Sequence, residues 1–174
     1  MRKYEFVEGD VVVSAFGEEL KRIRAVVEIP VFSVKSGDFG GYIAGNASLN
    51  HCGNAWVSGN ARVSSNARVS DNALVSGNAV VSDNALVSDN ARVSGNARVS
   101  GNARVSPITI QALTWPVTIC DQVMTIGCQT HSLRAWDEFS DAEIAAMDYS
   151  NALHFWRKHK DVLLALARAN GREF

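Results

Sequence analysis

The residues best equipped for chemistry in this chain are its arginines, one tryptophan, two histidines and a few cysteines. Arg62, Arg68, Arg92, Arg98 and Arg104 each stand between an alanine and a valine, and Trp56 fills the same kind of slot. Guanidinium forks suit phosphate and an indole can stack a base, so these six residues form the candidate ligand-binding set. His51 and His131 qualify by type as general bases, though neither has an identified carboxylate to orient it. Cys128 and His131 make a Cys-x-x-His pair, with Cys120 further upstream. Zinc sites prefer four ligands at tighter pair spacing. Packing is the better account: cysteine behaves as a small hydrophobe, and His131 with Trp136 anchors a turn into the C-terminal helices. No metal is expected. The basic run Arg157-Lys158-His159-Lys160 falls on a helix and reads as its wet face.

These slots are set by a repeat. From Asn54 to Ser106 the phrase Asn-Ala-x-Val-Ser recurs nine times, each copy but the last followed by Gly, Asp or Ser. Ala and Val lie two apart, so they share the inward face of a strand and the residue between them points out. A period of six suits a solenoid with one short strand and one corner per repeat. An imperfect first copy, Asn46-Ala47-Ser48-Leu49, is separated from the next by two extra residues around His51-Cys52, which predicts a bulged corner. Residues 1–44 mix β-branched runs with turn signals and read as a β cap over the open solenoid end. After Pro107, the segments Ile108-Thr109-Ile110, Val117-Thr118-Ile119 and Met124-Thr125-Ile126 keep the in-out-in pattern with larger residues and are expected to form one last, wider coil. Ser140-Asp141-Ala142-Glu143 is a capping box, and Asp148 to Asn170 carries a helical apolar stripe ended by Gly171.

A run such as Val63-Ser64-Ser65-Asn66-Ala67-Arg68 resembles the hexapeptide repeat of left-handed β-helices over roughly residues 45–126. The resemblance implies a mainly β fold: a left-handed parallel β-helix, three-sided, with an N-terminal β cap (1–44), a helix body (45–126) and a C-terminal helical segment (127–174). It implies three hexapeptides per turn, so residues 18 apart stack. Asn54, Asn72 and Asn90 then form one corner column, with Asn60, Asn78, Asn96 and Asn66, Asn84, Asn102 as the others. Asparagine tolerates left-handed backbone, and its amides bond along such a column. Asp71 and Asp89 stack at one corner, where a cation could be drawn, though solvated corner residues are the simpler reading. Outward, Trp56, Arg62 and Arg68 ring the first regular coil. Leu74, Val80 and Leu86 ring the second, and Arg92, Arg98 and Arg104 the third. An exposed apolar ring marks an interface, and the family commonly assembles as trimers with parallel axes. The expected partner is therefore a second and third copy meeting through the Leu74, Val80 and Leu86 faces.

The totals narrow the function. Formal net charge is −1, so no global field argues for nucleic acid or an acidic membrane. No apolar run approaches the roughly 20 residues of a spanning helix, and no signal peptide is evident; the expected location is the cytoplasm of a bacterial host cell. Enzymes of the left-handed β-helix family are mostly acyltransferases using acetyl-CoA, with a histidine base beside a loop that interrupts a coil. The regular repeats here contain neither histidine nor excursion loop. The chain further resembles small hexapeptide-repeat proteins of phages and prophages, often labelled transferases. The leading expectation is a non-enzymatic homotrimer without cofactor, capturing a small anionic ligand such as a nucleotide immune signal between subunits as an anti-defence sponge. An acetyl-CoA-dependent acyltransferase using His131 or His51 and a purely structural or adaptor trimer are the alternatives.

Overall fold

The chain opens on β-branched, alternating runs that can pair with each other before any repeat exists to receive them. In the computed structural model, which describes residues 2–103, 107–172 and 174, they form an antiparallel meander: β1 (Tyr4–Val13), β2 (Glu19–Ala25) and β3 (Phe39–Ile43). A short segment between β2 and β3 contains a 3-10 turn, Pro30–Phe32. The last two residues of β3 already belong to the solenoid, because Tyr42 and Ile43 pair in parallel with Arg62 and Val63. Gly40 and Gly41 make this join possible. A Cβ at Gly41 would come within 2.6 Å of the Ala61 carbonyl oxygen, and one at Gly40 within 2.5 Å of Ile23.

Each repeat then gives one two-residue strand: β4 (Trp56–Val57), β5 (Arg62–Val63), β6 (Arg68–Val69), β7 (Leu74–Val75), β8 (Val80–Val81), β9 (Leu86–Val87), β10 (Arg92–Val93) and β11 (Arg98–Val99). From β4 onward the strands bond in parallel at a separation of 18 residues, and β3 meets β5 at 20, so three columns arise: β3-β5-β8-β11, β4-β7-β10 and β6-β9. The bonding is continuous; Arg62 N–H donates to the Ala79 carbonyl and Val80 N–H to the Ala97 carbonyl, both at 2.9 Å. Inside, alanine and valine alternate with almost no exposure, from Ala55 and Val57 to Ala97 and Val99. Only alanine beside valine leaves the prism narrow enough to close without voids.

The extra residues at His51-Cys52 form a bulged corner, as the sequence predicts. Leu49 bridges Val69, a separation of 20 rather than 18, and the regular offset resumes once Asn54 meets Asp71. Asparagine columns are present: Asn54 donates to Asn72 at 2.9 Å, Asn78 to Asn96 at 3.3 Å, and Asn66 to Asn84 at 3.2 Å. The left-handed residue is not asparagine, however. It is the one before it, at Ser65 (φ 58°), Asp71 (φ 59°), Asp83 (φ 60°) and Asp89 (φ 58°), with glycine at the remaining regular corners. That explains why this position alternates among Gly, Asp and Ser, since short side chains tolerate the left-handed region best. Ser65→Val should lower stability by about 1–3 kcal/mol, because a β-branched residue is strained there, while Ser65→Gly should not. Unfolding midpoints of the two variants test this.

The expected last coil does not form, and the parallel solenoid ends before Pro107 instead of running to residue 126. β12 (Ile108–Ile110), β13 (Val117–Ile119), β14 (Val123–Ile126) and β15 (Gln129–Ser132) make an antiparallel meander of their own. The physical reason lies in the middle residues. Thr118 and Thr125 are buried along with their neighbours, so those two slots do not face solvent, and Ile108, Val117 and Met124 stand where the prism needs a small alanine. Two hydrophobic cores result, one inside the solenoid and one between this meander and the helices. α1 (Leu133–Glu138) is capped by Ser132, and α2 (Asp141–Ala169) starts with the Ser140–Glu143 capping box. Helical geometry breaks at Asp148 and Tyr149, where the apolar stripe was expected to begin. Among the described residues no helix is long and apolar enough to cross a membrane.

Candidate functional site

Strand pairing decides which outward residues share a face. Tyr42, Arg62, Val80 and Arg98 succeed one another on the β3-β5-β8-β11 column. At two strand spacings Arg62 and Arg98 lie about 10 Å apart, with Val80 between them. Around them runs a groove of about 610 Å³. Val12 and Tyr42 belong to its lining at the cap end, and the side chains of Asn60, Asn78 and Asn96 contribute amides. Pro116, Gly127 and Cys128 of the C-terminal meander close the other end.

The charge in this groove is one-sided. Among the described residues no carboxylate lines it, and neither Arg62 nor Arg98 makes an ion pair. At the rim the Tyr42 hydroxyl donates to Asp10 Oδ1 at 3.0 Å and accepts from Arg22 Nη1 at 2.9 Å. Arg22 also approaches Asp10, so those charges neutralise each other. Arg62 is half-buried and Arg98 exposed. Two guanidinium groups with no internal partner, beside amides and an apolar floor, suit a phosphate-bearing molecule more than a neutral one.

The other members of the candidate set are dispersed. Trp56 belongs to the β4-β7-β10 column with Leu74 and Arg92. Its slot points outward, yet its relative exposure is 1%, so it offers no face for stacking a base. The cap accounts for this: Phe32 and Val34 pack against the same buried cluster, and Arg92 lies 5.4 Å from the centre of the Phe32 ring. Arg92 is thus engaged by an aromatic ring, and Leu74 is partly covered. Arg68 is exposed beside half-buried Leu86 on the third column. Arg104 lies outside the described residues.

Neither histidine lines the groove. His51 stacks on Tyr4, centroids 4.3 Å apart, and its Nδ1 accepts the Lys3 backbone N–H at 3.2 Å. Burial, then the positive charges of Lys3 and Arg2, holds its imidazole below the usual range. Burial likewise brings Lys3 down to about 8 and Tyr4 up to about 12, so this corner is an end plug of the solenoid. His131 meets Trp136 and Phe139 edge-on, at 5.2 and 5.0 Å, and Trp136 donates to the Met124 carbonyl at 2.7 Å. It anchors the turn into the helices.

Cys120 is buried and its thiol pushed up to about 12, chiefly by burial, whereas Cys128 is exposed. Among the described residues no three His, Cys, Asp or Glu side chains gather as a metal centre would require. Asp71 does stack with Asp89, whose N–H points to Asp71 Oδ2 at 3.5 Å. In the basic run, Arg157 pairs with Asp141 across the break within α2, and Lys160 pairs with Asp137, tying α2 to α1.

Tyr42 was missed as a site residue. Gly41-Tyr42-Ile43 is an Ala-x-Val unit with glycine for alanine and isoleucine for valine, offset by the two residues inserted at the bulged corner. Allowing that insertion while stacking the sequence would have found it.

The chain is a β-solenoid repeat protein with an N-terminal β meander and a C-terminal meander-and-helix unit. Its repeats are similar to the family described as the YdcK beta solenoid repeat, whose model matches residues 67–83, 85–99 and 91–106. No curated protein matches the chain in sequence.

Proposed function

We propose that this β-solenoid is a non-enzymatic, homotrimeric binding protein that captures a small phosphate-bearing ligand, a nucleotide in the first instance, on its Arg62–Arg98 face. The observation that carries the reading is the groove itself: two arginines without acidic partners, held at fixed spacing by consecutive parallel strands. The rigidity matters because a preorganised pair of forks loses little freedom when an anion arrives. The location of the histidines supports capture over catalysis, since one plugs the solenoid end and the other packs among aromatic rings. A protein that holds a nucleotide signal without transforming it would serve as a sponge, and a phage-encoded sponge against host immunity fits this reading.

Subunits of a left-handed prism would meet at the half-buried Leu86 face, and the neighbouring subunit would close the groove above Val80. Thermal shift separates this reading from acyl transfer. The protein is melted alone, with acetyl-CoA and with a panel of linear and cyclic nucleotides. A nucleotide at 100 times its dissociation constant should add about 2.7 kcal/mol of stability. Stabilisation by coenzyme A and its acetyl ester alone would make the protein an acyltransferase candidate, and a monomer by light scattering would remove the inter-subunit closure.

A further inference from the structure

A second cavity, of about 460 Å³, lies between the C-terminal meander and α2. It has no arginine or lysine in its lining; Trp115, Ile126, Met147, Phe155 and Trp156 supply most of the wall. The volume falls in the range of about 300–1,000 Å³ typical of small-molecule sites. Trp156 is 3% exposed, and its Nε1–H is buried with no hydrogen-bond acceptor among the described residues. That N–H has no accessible surface, so Trp156 presents apolar ring surface to the cavity. The break in α2 shapes the opening. Tyr149 takes φ 47° and Asp148 φ −157°, and Met147 and Asp148 beside that break line the cavity. A carboxylate ligand would meet the Asp148 side chain and no cation, which selects against anions.

We propose that this cavity binds a neutral, largely apolar small molecule, such as a ketone or ester on two or three fused rings, held by burial against the aromatic wall. The site is chemically distinct from the arginine groove, although Gly127 and Cys128 border both. The fluorescent ketone 6-propionyl-2-(dimethylamino)naphthalene has the required shape and polarity. Titrated into the intact protein, it should show saturable, blue-shifted emission and quench tryptophan fluorescence, because Trp115, Trp136 and Trp156 all line the cavity. Ala152→Phe fills the cavity from α2 and should weaken binding at least tenfold. Met147→Trp narrows it from the rim without new burial and should do the same if Ala152→Phe misfolds by circular dichroism. Absence of saturable binding, or affinity unchanged in the filling variants, would overturn the site.

Discussion

Ala79→Leu should destabilise the solenoid by about 3 kcal/mol, at the upper end of the usual cost of overpacking a filled core. Ala79 has no exposure and stacks between Ala61 and Ala97 at strand spacing. The backbone has little room to yield, because the Ala79 carbonyl accepts from Arg62 N–H and the next residue donates to Ala97, both at 2.9 Å. A larger side chain must push either into the prism axis or against the valines of the other columns. Val80→Ala, one residue away on the half-exposed outward slot, should cost less than about 1 kcal/mol. Circular dichroism melts of the pair check both numbers. Equal losses at the two positions would show that the alternation of inward and outward residues is not what holds the coils together.

The second large effect concerns binding. Arg62→Ala and Arg98→Ala should each weaken nucleotide capture by about 10- to 100-fold, since a hydrogen bond to a charged group is worth about 1.5–3 kcal/mol. The double variant should lose measurable affinity under ordinary conditions. Arg92→Ala is the informative control, because Arg92 stands on another column and leans on the Phe32 ring of the cap, so its loss should leave affinity nearly unchanged. Lysine at position 62 or 98 should rescue only part of the loss; it keeps the charge but not the planar fork. Titration calorimetry with the most stabilising nucleotide reads the wild type and all six variants. Raising the salt concentration should weaken the wild type and flatten the differences, as expected for exposed charge pairs.

The regular coils were readable because their constraints are local. Ala and Val two apart set the inward face, and the six-residue period set the corners. Stacking at 18 residues followed from the family likeness, and the strand pairs and asparagine ladders obey it. The candidate site was only half readable for a reason of the same kind. Whether Arg62 and Arg98 share a face depends on the repeat alone, so they were found together. Whether Trp56 is accessible depends on where the segment around Pro30–Phe32 folds back, and nothing in the repeat encodes that. Tyr42 was hidden by two inserted residues, which shift the stacking offset without changing the geometry. The segments after Pro107 imitate the Ala-x-Val pattern with isoleucine and threonine. Their antiparallel pairing, and the burial of Val117–Ile119 and of Met124, Thr125 and Ile126, show that they form a separate sheet.

The groove is tested most directly by a crystal structure grown with the nucleotide that raises the melting temperature most. Phosphate oxygens within hydrogen-bonding distance of both the Arg62 and Arg98 guanidinium groups, above Val80, are the expected result. A phosphate held elsewhere, with both arginines still turned to solvent, would contradict the account.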